Sequence, residues 1–375
     1  MEKFPDILKN LDSLLWKPNK DEKKFVENLP DEFYVEVPYY SAKKMHWSGP
    51  ACAQMLFEYN NKPVPSQEEI ANEMGIDTWL YMNHETLEED FLRFMTKRNF
   101  VPGIYFPALK LRPHFKNGKD MGDFMYRNAE KITEKDFTFF KSLLVKENGP
   151  VFMRIHFTTD DYNMPEEMAE HVDGDVGHAV LLVGYNSKGF IVNDPWNNKR
   201  WGGKKGGENT FITYEELRGP NIPVNSTYDF MATYYPLRAI FRIAHQVPFP
   251  KTEIDLSLQV DSPGLVGIQG DYYTLKNIKG ILRLHSDFST KEPISYSKAK
   301  DLAPGDKTIL TWKIKTGSHI RSFPVSALVQ ATISLPYRAW ERNNRNNEEV
   351  TINAEANIRI SVKNPEWYQY YGKLS

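Results

Sequence analysis

Three short segments of the chain carry residue types that can do nucleophilic chemistry. Gly177-His178-Ala179-Val180 opens one apolar run and Asn193-Asp194-Pro195-Trp196 closes the next, placing His178 and Asp194 16 residues apart. The residues between the runs, Asn186-Ser187-Lys188-Gly189, predict a tight hairpin turn. Such a hairpin sets the histidine and the aspartate near the same end of adjacent strands. A carboxylate beside an imidazole fixes its tautomer and stabilises the imidazolium, which is the base half of a thiol or hydroxyl nucleophile system. The other half belongs at a helix N-terminus, where the dipole and free N–H groups lower a thiol pKa. The third segment, Ser48-Gly49-Pro50-Ala51-Cys52, starts such a helix, with Pro50 suited to the first turn. Ser48 and Cys52 are both candidate nucleophiles, and the residues alone leave the choice open. Ser48 is also expected to be the helix N-cap. Cys52 falls on the stripe Ala51, Met55, Leu56 and Tyr59, where a free cysteine behaves as a small buried hydrophobe.

The elements that must position these groups are readable in outline. Residues 1–18 predict an amphipathic helix with Phe4, Ile7, Leu8, Leu11, Leu14 and Leu15 on one face, and Asn19–Glu27 reads as a charged linker. Residues 33–40 alternate like a strand. Ser66 with Glu69 forms a capping box for a helix that Gly75 closes, Thr86 with Glu89 opens another, and Thr133 caps a third. The texture then changes to apolar, β-rich runs at 150–157, 178–185, 190–195 and 233–243. Helices first and an antiparallel sheet after them is an α+β layout. Val247-Pro248-Phe249-Pro250 marks a boundary. Beyond it, short alternating strands and the turn Pro304-Gly305-Asp306 suggest an all-β sandwich domain.

Composition narrows the function classes. The chain has 375 residues, 41% hydrophobic and 26% charged, enough to bury a core and too long for one average domain. Its 47 basic and 49 acidic residues give a net charge of −2, so a nucleic-acid partner has no electrostatic footprint. No apolar run reaches the roughly 18–20 residues of a membrane helix. The N-terminal residues lack the pattern of a signal peptide, because Asp6 and Asp12 interrupt the apolar stretch. With the single cysteine, Cys52, this points to a cytoplasmic setting. The cluster His171, Asp173, Asp175 and His178 invites a metal reading. Its spacing fits no standard motif, so no metal and no cofactor are expected, and the cluster reads as an acidic loop with Asp160, Asp161, Glu166 and Glu167. The run Trp201–Gly207 is no phosphate loop, since no Gly-Lys-Ser/Thr follows; it reads as a flap or a plain hairpin tip. The aromatics Trp367, Tyr368, Tyr370 and Tyr371 are expected to dock the tail. The Asn225-Ser226-Thr227 sequon is read as chance.

The run VPYYSAKKMHWSGPACAQML, followed by GHAVLLVGYNSKGFIVNDPW, resembles the papain-like bacteriocin-processing leader peptidases, family 39 of the cysteine peptidases. The resemblance covers residues 33 to about 218, including the Tyr214–Leu217 helix. It implies a papain-like α+β fold in which His178 is the base and Asp194 its orienter. It puts Ser48 at the position of the catalytic cysteine and Ala42 at that of the oxyanion glutamine, so both groups are replaced. A second register, on the pattern of the classical papain-like enzymes, makes Cys52 the nucleophile and His46 the alternative oxyanion donor.

The expected architecture is therefore a helical lead-in and linker (1–30), an α+β papain-like domain (31–246) and an all-β sandwich domain (247–375). The resemblance implies a degenerate peptidase-type site that binds a peptide or protein tail in its cleft without cutting it. The alternatives are an active thiol peptidase or acyl transferase using Cys52, His178 and Asp194, and an interaction protein acting through the C-terminal sandwich.

Overall fold

The computed structural model describes residues 19–76, 88–105, 134–157, 176–197, 205–214, 230–243, 247–265, 274–297, 301–335 and 348–366. The expected N-terminal helix, the caps at Thr86 and Thr133, the acidic loop, the 214–217 helix beyond Tyr214, the sequon and the C-terminal aromatics lie outside these residues.

The first described element corrects the sequence reading. Residues taken as a linker form helix α1 (Lys20–Val26). Asn19 and Glu22 make a reciprocal capping box, Asp21 and Glu22 sit in the first turn, and Lys23 and Lys24 in the last. That charge order suits the helix dipole, so a highly charged sequence still folds. The expected strand at 33–40 shortens to β1 (Phe33–Tyr34). Val35 still donates to the Val183 carbonyl, but the chain then runs irregularly through Pro38 to the next helix.

Helices α2 (Ser48–Tyr59), α3 (Gln67–Met74) and α4 (Glu88–Lys97) follow. The Ser66 hydroxyl accepts from the Glu69 N–H, and Gly75 closes α3 at φ 75°, as the Gly C-cap reading requires. After β2 (Phe100–Tyr105) and α5 (Glu134–Glu147) come β3 (Val151–Phe157), β4 (Val176–Tyr185), β5 (Gly189–Asp194), β6 (Gly207–Thr213) and β7 (Phe230–Pro236). They form an antiparallel sheet in the order β2-β7-β3-β4-β5-β6, with β1 added to β4. Strand β4 is buried on both faces. Ala179, Leu181 and Val183 belong to the core that includes α2, whereas Val180 and Leu182 pack with Phe137, Phe140 and Leu144 of α5. This explains why 178–185 reads as a continuous apolar run.

The segment 233–243, read as one β-rich stretch, is divided between two sheets. β7 ends at Pro236, and β8 (Arg238–Ile243) pairs with β9 (Glu253–Asp261). The chain therefore leaves the first sheet at Leu237, before the Val247-Pro248 stretch. The remaining strands are β10 (Lys276–Arg283), β11 (Phe288–Ser289), β12 (Ser295–Ser297), β13 (Lys307–Thr316), β14 (Ser322–Leu335) and β15 (Glu348–Ser361). They make two four-stranded antiparallel sheets, β12-β10-β14-β15 and β11-β13-β9-β8. The sheets face each other closely at Gly280, where a Cβ would lie 2.6 Å from Leu310 and 3.0 Å from Trp312. Alternation drives this packing: in β13, Thr308, Leu310, Trp312, Ile314 and Thr316 point inward and the intervening residues are exposed.

Candidate functional site

The β4–β5 hairpin does what its turn residues predict. Asn186 N–H donates to the Gly189 carbonyl at 3.0 Å, and the Asn186 side chain accepts from Lys188 and Gly189. Leu181 then pairs with Asn193 and Leu182 with Val192, and an irregularity follows at Gly184. At the far end, His178 Nε2 lies 2.5 Å from Asp194 Oδ1. The pair is buried, with His178 4% and Asp194 0% exposed. The same carboxylate oxygen accepts from the Trp196 N–H at 2.8 Å, and the Asp194 carbonyl accepts from the Tyr39 hydroxyl at 3.0 Å. Burial, then the Asp194 carboxylate, then Cys52 and Glu208 push the Tyr39 phenol well up, so it stays a donor. Gly206 completes the corner. At φ 110° it packs where a Cβ would meet the Trp196 carbonyl at 2.3 Å, a position only glycine fills without strain.

Helix α2 brings its first residues to this corner. Ser48 is not the N-cap expected from its type: Trp47 holds that place and makes no side-chain cap. Ser48 is the first helical residue, and its hydroxyl instead accepts from the Ala179 N–H at 3.2 Å, next to His178. The long-range partner wins because Ser48 is buried, 6% exposed, at the meeting of helix and strand. One turn on, Cys52 is 0% exposed within the core. Burial first, and the Asp194 charge second, push its thiol well above the ordinary range. Ala42 also reaches the corner, its N–H donating to the Pro195 carbonyl at 2.9 Å. His46, the other residue considered for an oxyanion, is exposed, its ring edge-on to Trp47.

So Ser48, Ala42, His178 and Asp194 converge, Cys52 lies beneath them, and His46 faces outward. Sequence reasoning missed Tyr39 as a partner of Asp194, and missed two buried glutamines, Gln54 and Gln67, behind the Ala42 loop. No motif signals them, since a glutamine on a short helix usually faces solvent. Among the described residues, no group of three or more His, Cys, Asp or Glu is arranged to hold a metal ion, and no helix is long and apolar enough to cross a membrane.

An antiparallel sheet with a buried His–Asp hairpin, met by the N-terminus of a helix, defines a peptidase-type domain of mixed α and β structure. Residues 34–220 match the Peptidase_C39 like family, and through this segment the chain belongs to that family. Many solved structures align, and the similarity is low in the three that follow. A putative C39-like peptidase from Bacillus anthracis is 13% identical with a TM-score of 0.31, over 55% of this chain and 98% of that one. A double glycine motif protease from an AMS/PCAT transporter, solved in complex with the leader peptide, is 15% identical with a TM-score of 0.29, over 54% and 94%. The full-length major pilin SpaD from Corynebacterium diphtheriae is 12% identical with a TM-score of 0.24, over 56% and 58%. No curated protein matches the chain.

Proposed function

We propose that the peptidase-like part of the chain, residues 31–246, has a degenerate nucleophile site and binds an extended peptide or a protein tail without cutting it. Residues 247–375, joined by β8, form a β-sandwich domain beside it. The observation that carries this reading is the placement of Ser48: its hydroxyl sits on the Ala179 N–H beside His178, while the only thiol is one turn deeper. Serine at this position lacks the acidity that a site built around thiolate chemistry relies on; a free thiol has a pKa of about 8.5. Ala42 offers no side-chain donor to an oxyanion, and removing one such donor typically costs about 3–4 kcal/mol in the transition state. Cys52 is disfavoured as a nucleophile because its burial raises the thiol pKa and keeps substrate from its sulfur.

The test mixes the full chain with fluorescein-labelled extended peptides, among them one ending in Gly-Gly. Anisotropy reads binding, and mass spectrometry reads cleavage after a day. The proposal expects saturable binding with every peptide intact. Cleavage that iodoacetamide stops would instead establish thiol chemistry at Cys52, and the absence of saturable binding across the set would overturn the binding role.

A further inference from the structure

The three residues Ser41, Ala42 and Lys43 are gripped from two sides. From helix α3, Gln67, 1% exposed, reaches both flanks of residue 42. Its Oε1 accepts from the Lys43 N–H at 2.8 Å, and its Nε2 donates to the Ser41 carbonyl at 2.9 Å. The same Nε2 donates to Gln54 Oε1 at 2.9 Å, and Gln54 Nε2 donates to the Pro65 carbonyl at 2.8 Å. From the other side, the Ala42 N–H donates to the Pro195 carbonyl, directly after Asp194. A primary amide has two donors and two acceptor sites. Gln67 pairs both kinds with the backbone flanking residue 42, as a neighbouring strand would. Buried amides are costly unless paired, and here the contacts run to the loop and its support. The loop is otherwise a surface segment, with Lys43, Lys44 and His46 exposed.

We propose that Gln67 is a positioning residue for the peptide site. It fixes residue 42 against the Asp194–Pro195 corner, so a chain bound beside Ser48 and His178 meets a preformed wall. This rests on the reading that the site binds an extended peptide. A loop that must order on binding weakens affinity, and a preorganised one does not. The grip is on the backbone, so it is independent of the side chain at position 42, and it survives the replacement of a side-chain donor there by alanine.

The test uses the full chain with Gln67→Leu, which removes every hydrogen bond at similar volume, and Gln67→Glu, which keeps the acceptor for Lys43 but loses the donors to Ser41 and Gln54. Amide hydrogen exchange is read residue by residue. Gln67→Leu is expected to speed exchange at Ala42 and Lys43 at least tenfold while β4 and β5 amides are unchanged. Gln67→Glu is expected to restore protection at Lys43. A purely structural role would speed exchange throughout, and that result, or unchanged exchange at 42 and 43, overturns the proposal. Binding of the fluorescein-labelled peptides to Gln67→Leu is expected to weaken about tenfold. If no peptide binds the unaltered chain, the binding reading fails, while the exchange data still decide whether Gln67 holds the loop.

Discussion

The Ser48 hydroxyl accepts a hydrogen bond from the Ala179 N–H, the backbone group directly after His178. A helix N-terminus and a strand are joined there by one side chain. The neighbouring imidazole is anchored to Asp194, which is itself anchored by Tyr39 and Trp196. On the proposed reading, the pair that would serve as base and orienter is thus held beside a serine rather than a thiol.

On the proposed reading, supplying a thiol at position 48 and an amide donor at position 42 is expected to restore chemistry. A thiol introduced by Ser48→Cys meets the positioned His178, and adding Ala42→Gln supplies an oxyanion donor. The double variant is expected to cleave labelled peptides about 10²–10³ faster than Ser48→Cys alone, the usual effect of one oxyanion donor. Equal rates in the two variants would mean that position 42 does not face the reacting carbonyl.

The His178–Asp194 contact also holds the fold. Asp194→Ala removes the carboxylate that His178 and the Trp196 N–H both contact. Removing one partner of a buried hydrogen bond costs about 1–3 kcal/mol, so urea unfolding is expected to show a loss of that order. A loss below about 1 kcal/mol would show that the corner relaxes freely.

Legibility in the sequence followed the range of the interactions. The His178–Asp194 pair was readable because a hairpin converts a spacing of 16 into proximity, and the turn residues Asn186–Gly189 announce that hairpin. The start of α2 was readable from Gly49-Pro50. The role of Ser48 was not, because a serine at a helix start looks like a cap and its actual partner, Ala179, is 131 residues away. Gln67 was invisible for the same reason, since its partners lie at positions 41, 43 and 54. The division of 233–243 between two sheets was hidden because both halves are equally β-rich. The capping box at Asn19 is local, but the density of charge around it makes the segment read as a linker.

The close approach of the two C-terminal sheets makes Gly280 sensitive. Gly280→Ala adds a methyl group 2.6 Å from Leu310 and 3.0 Å from Trp312, both fully buried. Overpacking of this kind costs about 1–3 kcal/mol. Thermal unfolding is expected to show the loss, with Trp312 fluorescence shifted; an unchanged midpoint would mean that the sheets are less tightly packed there.

Glu147, at the end of α5, accepts from the Gly264 N–H at 2.8 Å, and Lys146 donates to the Gly264 carbonyl at 2.5 Å. Burial raises the Glu147 pKa, although Gly264, Arg238 and Lys146 oppose the rise. A raised folded-state value means the folded chain holds the proton more tightly than the unfolded one. The stability this gives is full below the unfolded value of about 4.3 and is lost as pH rises through the folded value. Glu147→Gln keeps an acceptor for Gly264 and removes the titration. The stability difference between the unaltered chain and the variant is therefore expected to move in the variant's favour as pH rises from about 4 to about 8. A difference that stays constant over that range would show that Glu147 titrates alike in both states.

The central claim is that the only thiol is not the nucleophile, and the rate of iodoacetamide labelling of Cys52 from about pH 5 to pH 9 tests it most directly. With the sulfur fully buried and its pKa raised, the folded chain is expected to stay unlabelled across this range and to react only when denaturant unfolds it. Fast labelling of the folded chain, with an apparent pKa well below about 8.5, would mean a thiolate paired with His178 and would contradict the account.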